Sequence, residues 1–164
     1  MSKTDKNLMD AFAGESQANR KYLAYAAKAE KEGLPQVAKL FRAVADAETI
    51  HAHAHLARAK KIHGTLENLK DAMDGEVYEF TKMYPEMIAD AKEEGRANEA
   101  KYFDWVNQVE EVHSKLYKKA IDAGGKLENV DYYICAVCGY THEGPFNDKC
   151  PVCQSAASVF YKAD

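Results

Sequence analysis

The chain has 164 residues, 46% of them apolar and 29% charged, which suits a soluble globular fold of one domain plus a small module. Its 22 basic and 26 acidic residues leave a formal charge of -4, arguing against nucleic acid or an anionic membrane as the main partner. No signal-peptide pattern and no apolar run of about 18 residues is found, so the expected location is the cytoplasm.

Helix formers dominate to about residue 123, punctuated by Gly33, Gly64 and Gly95, with Pro35 suited to a first helical turn. This predicts four helices, roughly 3–32, 35–63, 66–94 and 96–123, ended by Gly124-Gly125. The stretch repeats itself. "AEKEGLPQVAKLF" (29–41) and "AKEEGRANEAKYF" (91–103) agree at six of thirteen positions, at an offset of 62. "DAFAGE" (10–15) and "DAMDGE" (71–76) match at an offset of 61, so the second copy has gained one residue. Beside Met83-Tyr84-Pro85 such an insertion predicts a kink or bulge. Each copy reads as a helical hairpin.

In the first helix Leu8, Phe12, Glu15, Tyr22 and Ala26 share one face. In the second, Phe41, Val44, Glu48 and His51 do so, and Phe103, Val106, Glu110 and His113 repeat that pattern in the fourth. In the third helix Leu69, Met73, Glu76, Phe80, Met83 and Met87 form the matching face. Every helix therefore turns a carboxylate toward an apolar seam, where four uncompensated carboxylates would repel and protonate. A pair of cations removes that cost. One Glu from each of two helices plus Glu-x-x-His from each of the other two is the di-metal plan of ferritin-like four-helix bundles. Glu79, one turn beyond Glu76, breaks the symmetry, because its counterpart is Ala18. Of the neighbouring histidines, His53 reads as a surface residue. His55 reads as a core or supporting group, since its repeat counterpart is Tyr117, whereas His51 is matched by His113.

A polar linker, 126–131, leads to a tail, 132–164, that changes to aromatic and β-branched residues. All four cysteines lie there, as Cys135-x2-Cys138-x11-Cys150-x2-Cys153. Two CxxC knuckles in a reducing compartment supply a tetrahedral four-thiolate site, and spacing alone leaves iron and zinc both open.

Together the halves resemble the rubrerythrin family over essentially the whole chain. The resemblance is carried by "AFAGES" around Glu15, "AETIH" at 47–51, "GEVYEFTKMYP" at 75–85, "EEVH" at 110–113 and the rubredoxin-like tail. It implies a mainly α fold, with a ferritin-like bundle over 1–125 and a rubredoxin-like knuckle domain over 132–164. It also implies a non-haem di-iron centre, an Fe(SCys)4 centre, and reduction of hydrogen peroxide to water in oxidative-stress defence. Electrons would come from an external donor, a rubredoxin or an NAD(P)H-dependent reductase. By the same resemblance one iron is held by Glu15 and Glu79 and the other by Glu76 and His113. Glu48 and Glu110 bridge them, and the first iron exchanges Glu79 for His51 on reduction. The chain departs from the family in carrying Gln154 where a glycine usually follows the last cysteine, and in the short loop between its knuckles. Two other readings use the same residues: a ferroxidase or iron-handling protein, and a structural zinc ribbon on a helical scaffold.

The linker between the second and third helices, "HGTLEN" at most, extends about 20 Å. A bundle of helices about 43 Å long needs more than that to return along its length. The expectation is a homodimer with exchanged hairpins, residues 1–63 of one chain packing with 66–123 of the other. An up-down-up-down monomer is the alternative.

Overall fold

A computed structural model describes residues 2–163. It divides into two compact units, residues 1–63 and 64–164.

The first unit is a hairpin of α1 (Lys3–Lys31) and α2 (Pro35–Arg58). Ser2 caps α1 reciprocally with Asp5. Gly33, at φ 75°, closes the helix with paired backbone bonds, Gly33 N–H to Glu30 O and Leu34 N–H to Ala29 O. The two helices meet through small side chains, with Ala26, Ala29, Ala38, Ala45 and Ala52 buried. Asn19 is buried among them and donates to Ala45 O at 2.8 Å and Thr49 Oγ1 at 2.9 Å. Val44 of the expected α2 seam stays exposed, as does Val37 two turns before it, so this hairpin by itself does not cover its apolar face.

The second helix ends earlier than the sequence predicts, at Arg58 rather than near residue 63. Lys60 takes the left-handed conformation (φ 55°) that glycine supplies at the other helix ends. Lys60 N–H bonds Ala57 O and Lys61 N–H bonds Leu56 O, the same terminating pair as at Gly33. Gly64, read as punctuation between the helices, is the N-cap of the next one.

The second unit opens with α3 (Thr65–Tyr78), which passes into a π-helical turn over Glu79–Met83 and continues as α4 (Tyr84–Glu93). The predicted third helix is therefore one rod with a bulge. Tyr84 N–H reaches back five residues to Glu79 O. Pro85, which has no N–H to give, sits just where the widened turn spares it a clash. Gly95 ends the rod and α5 (Ala97–Asp122) returns along it. The tail forms a three-stranded antiparallel sheet, ordered β2 (Thr141–Glu143), β1 (Tyr132–Cys135), β3 (Phe160–Lys162). Tyr133 pairs with His142 on one side and Lys162 on the other. Val109 of α5 is buried against Cys135, Cys138 and Cys150, with Trp105 beside it, so the knuckles pack directly on α5. No described helix is long and apolar enough to cross a membrane.

Candidate metal centres

The four cysteines converge with their sulfurs within 4.8 Å of one another. Cys135 Sγ and Cys153 Sγ are 3.7 Å apart, and Cys138 Sγ and Cys150 Sγ 3.6 Å. These distances are too long for disulfides and close to the edge, about 3.8 Å, of a tetrahedron with 2.3 Å metal–sulfur bonds. The knuckles are built alike. Gly139 N–H bonds Cys135 O and Gln154 N–H bonds Cys150 O, while Cys135 N–H and Cys150 N–H bond Tyr140 O and Ser155 O. Both turns need a left-handed residue, Gly139 at φ 84° and Gln154 at φ 63°. The Gln154 side-chain amide donates to Pro151 O at 3.1 Å, a local bond glycine could not make. Burial pushes the Cys153 thiol up, but hydrogen bonds from Ser155 and the neighbouring cysteines outweigh it and bring it down to about 7. Burial pushes Cys138 well above the usual thiol range. Four thiols crowded in an apolar pocket would ionise together only around a cation.

Each hairpin carries its own carboxylate–histidine cluster. In the first unit, Glu15 from α1 meets Glu48 and His51 from α2. His51 Nδ1 lies 2.9 Å from Glu48 Oε2, one helical turn away. In the second, Glu76 from α3 meets Glu110 and His113 from α5. His113 Nδ1 lies 2.7 Å from Glu110 Oε2 and 4.0 Å from Glu76 Oε2. Burial, then the charge of Glu110 and the hydrogen bond between the two carboxyls, raises Glu76 to about 7. Burial and the Glu110 charge also raise Glu79, on the π turn. For His113, burial works against the charged form, yet the bond and charge of Glu110 prevail and raise it. Carboxylates strained by one another and histidines leaning on them are what a multivalent cation would relieve.

The sequence reading singled out every member of these clusters. His53 is exposed, and His55 is half-buried with an Nδ1 that has no partner among the described residues. Three contributors were not anticipated. Thr141 Oγ1 lies 3.1 Å from His113 Nε2 and donates in turn to Gly139 O, tying the histidine to the first knuckle. Ser155 supports Cys153. Tyr84 is raised to about 12 by burial and by the charges of Glu110, Glu79 and Glu76. Thr141 and Ser155 each sit two or three residues past a cysteine, a signal too short to read without the fold. Tyr84 was noted only as part of the insertion.

Comparison with known proteins agrees with both halves. The family model described as Rubrerythrin matches residues 6–121, and that of the rubredoxin-like domain of rubrerythrin matches 133–161. Nigerythrin from Nitratidesulfovibrio vulgaris is 34% identical over 171 residues, covering 96% of this chain and 85% of its own. Rubrerythrin from the same organism is 34% identical (97% and 93% covered), and rubrerythrin-1 from Clostridium acetobutylicum is 35% identical (97% and 93% covered). The solved structure of fully reduced, all-ferrous nigerythrin superposes with a TM-score of 0.59 at 32% identity, covering 99% of this chain and 88% of that one. A di-iron centre and an Fe(SCys)4 centre are the cofactors of these oxidoreductases, and the carboxylate–histidine clusters and the cysteine tetrad have the donor sets for both. Matched in order along both of its parts, the chain belongs to the rubrerythrin family.

Proposed function

We propose that the protein reduces hydrogen peroxide to water in the cytoplasm, on a bundle built from residues 1–125. The domain at 132–164, joined through the linker 126–131, feeds it electrons. When bound, a di-iron group would supply the two electrons that cleaving the O–O bond requires, and an iron held by Cys135, Cys138, Cys150 and Cys153 would supply electrons singly to restore them. Within the chain, Glu15, Glu48 and His51 form one half of the iron-binding set, and Glu76, Glu79, Glu110 and His113 the other. Glu48 and Glu110 would be shared between the two irons. His51 and Glu79 would be alternatives for one iron, the imidazole suiting its ferrous form and the carboxylate its ferric form. Thr141 Oγ1 beside His113 Nε2 fixes the ring so that Nδ1 faces Glu110 and Glu76 and would be the nitrogen offered to metal.

The observation that carries this reading is the contact between the knuckle and the cluster. Thr141 of the tail touches His113, and Val109, one turn earlier, is buried against three of the cysteines. A ferroxidase passes its electrons to an oxidant and needs no incoming supply, and a structural zinc ribbon needs no such contact. The external donor is a rubredoxin or an NAD(P)H-dependent reductase. The test is anaerobic reduction followed by stopped-flow mixing with peroxide or with oxygen. Peroxide is expected to reoxidise the protein faster, and a preference for oxygen would sink the reading.

The working unit is a homodimer with exchanged hairpins. Only residues 59–64 connect α2 to α3. Six residues span about 20 Å extended, whereas α2, with 24 residues, is about 36 Å long. The first hairpin also leaves its seam residues Val37 and Val44 uncovered.

A further inference from the structure

The repeat places one more surface in register. On α5, Tyr102, Trp105, Val109, Val112 and Leu116 form a stripe at steps of three and four, and the cysteine knuckles sit on it around Trp105 and Val109. An offset of 62 carries that stripe onto Leu40, Ala43, Ala47, Ile50 and Ala54 of α2. There it is bare: Val109 is 1% exposed, while Leu40 is 63% and Ile50 69% exposed. The adjoining histidines differ the same way. The His113 side chain, capped by Thr141, is 26% exposed, against 56% for His51. Because the α5 stripe is taken by the tail, it faces outward from any bundle that α5 helps to build. A bundle of two repeated hairpins then turns the α2 stripe outward as well, so the assembly proposed above does not cover it.

Charge says what does. Residues 1–63 hold 11 basic and 7 acidic side chains, whereas 64–164 hold 11 basic and 19 acidic. The bare stripe thus lies on the one cationic part of an acidic protein, and exposed Arg58, Lys60 and Lys61 follow its C-terminal end. In the occupied interface the polarity is the same, with Lys119 at that end of α5 gripping Glu143 of the tail at 2.6 Å. Ala43 and Ala47 stand where α5 has Trp105 and Val109, so a knuckle could approach the α2 backbone closely without the large anchor of a permanent interface.

We infer that the outer face of α2, from Leu40 to Ala54 with Arg58, Lys60 and Lys61 at its end, docks a small acidic electron carrier with a four-thiolate iron centre. The inference rests on the reductase reading and gives the external donor an entry on the His51 side of the site, in addition to the tail's own contact beside His113. Each docked carrier gives one electron, its iron passing from ferrous to ferric. Two encounters and two protons reduce one hydrogen peroxide to two waters.

The test uses the full-length iron-loaded protein and an acidic rubredoxin as probe. Binding is read by calorimetry with the zinc-substituted rubredoxin, and electron delivery by stopped flow with the reduced iron form. Ile50→Asp with Leu40→Asp, and separately Arg58→Glu with Lys61→Glu, should each weaken binding and slow delivery roughly tenfold or more, and the wild-type rate should fall with added salt. Single-turnover peroxide reduction by chemically pre-reduced protein should be unchanged in both variants. Loss of that activity in the wild type overturns the reductase reading instead, and leaves the binding result to judge the surface. Undiminished binding in the charge-reversed variant overturns the inference, as does a change of oligomeric state in either variant, which would make the face a contact between copies.

Discussion

The two hairpins descend from one pattern, and their differences are more informative than their likeness. Each sets a Glu on its first helix against Glu-x-x-His on its second, and each cluster closes within its own hairpin. Among the described residues the second hairpin alone has the π turn, the extra carboxylate Glu79 and a tail seated on its second helix, α5. The first remains a plain, cationic pair of rods with a solvent-facing histidine. A single inserted residue is an economical way to make two copies unlike. The offset is still 61 at Glu79, which stands where the first copy keeps Ala18, and the π turn that absorbs the extra residue begins there.

The largest test of the comparison concerns how the copies combine. If the short connection forces exchange, lengthening it should release it. Inserting about 25 Gly/Ser residues between His63 and Gly64 gives the chain the reach to fold back on itself. The molar mass by light scattering should then halve, with iron content per chain kept. A lengthened protein that stays dimeric would mean that the dimer owes nothing to the connection.

Next comes the asymmetry itself. Glu79→Ala makes the second copy resemble the first. Peroxide turnover should fall about 10- to 100-fold, the usual consequence of disturbing a metal's supporting ligands. The iron itself should be retained by the remaining six residues. Ala18→Ser, a change at the matching position of the first copy, should have little effect. Equal losses at both positions would refute the asymmetric role of Glu79.

Much of this was legible in the sequence, because repeats and metal ligands obey short, rigid spacings. Glu48 to His51 and Glu110 to His113 are single helical turns, and the cysteine pairs are single knuckles. The inserted residue announced a bulge, and the bulge lies over Glu79–Met83, just ahead of the place expected. What stayed hidden depends on contacts across the chain. The end of α2 at Arg58 rests on Lys60 adopting a glycine-like conformation, a cost that pattern reading assigns to no lysine. Likewise Thr141 meets His113 only because the tail docks on α5, and nothing near residue 141 foretells that partner.

A smaller effect separates the clusters in the metal-free protein. Glu76 has its pKa raised from 4.5 to about 7, so in the folded chain it prefers to be protonated. Its contribution to stability is full below about 4.5 and is lost as pH rises through about 7. Chelator-treated protein should therefore melt at lower temperature as pH increases across that window. Glu76→Gln should flatten this slope. Iron should abolish it, because the cation then holds the carboxylate ionised. A slope unchanged in Glu76→Gln would move the strain to another residue.

The smallest expected effect compares the two knuckles, which repeat each other as the hairpins do. Gly139 and Gln154 occupy equivalent left-handed turns, and only glycine does so without strain. Gln154→Gly should relieve about 1 kcal/mol of backbone strain, less whatever the side-chain bond to Pro151 O contributes. The first term is a steric cost borne wherever the turn forms, whereas the second is a single exposed hydrogen bond that water can replace. Strain should win, and the variant should resist thermal loss of its visible iron–sulfur absorbance slightly better than wild type. Gln154→Ala keeps the strain and removes the bond, so it should fall below wild type. If Gln154→Gly proves the less stable of the two, the glutamine amide, rather than the turn, is what the second knuckle depends on.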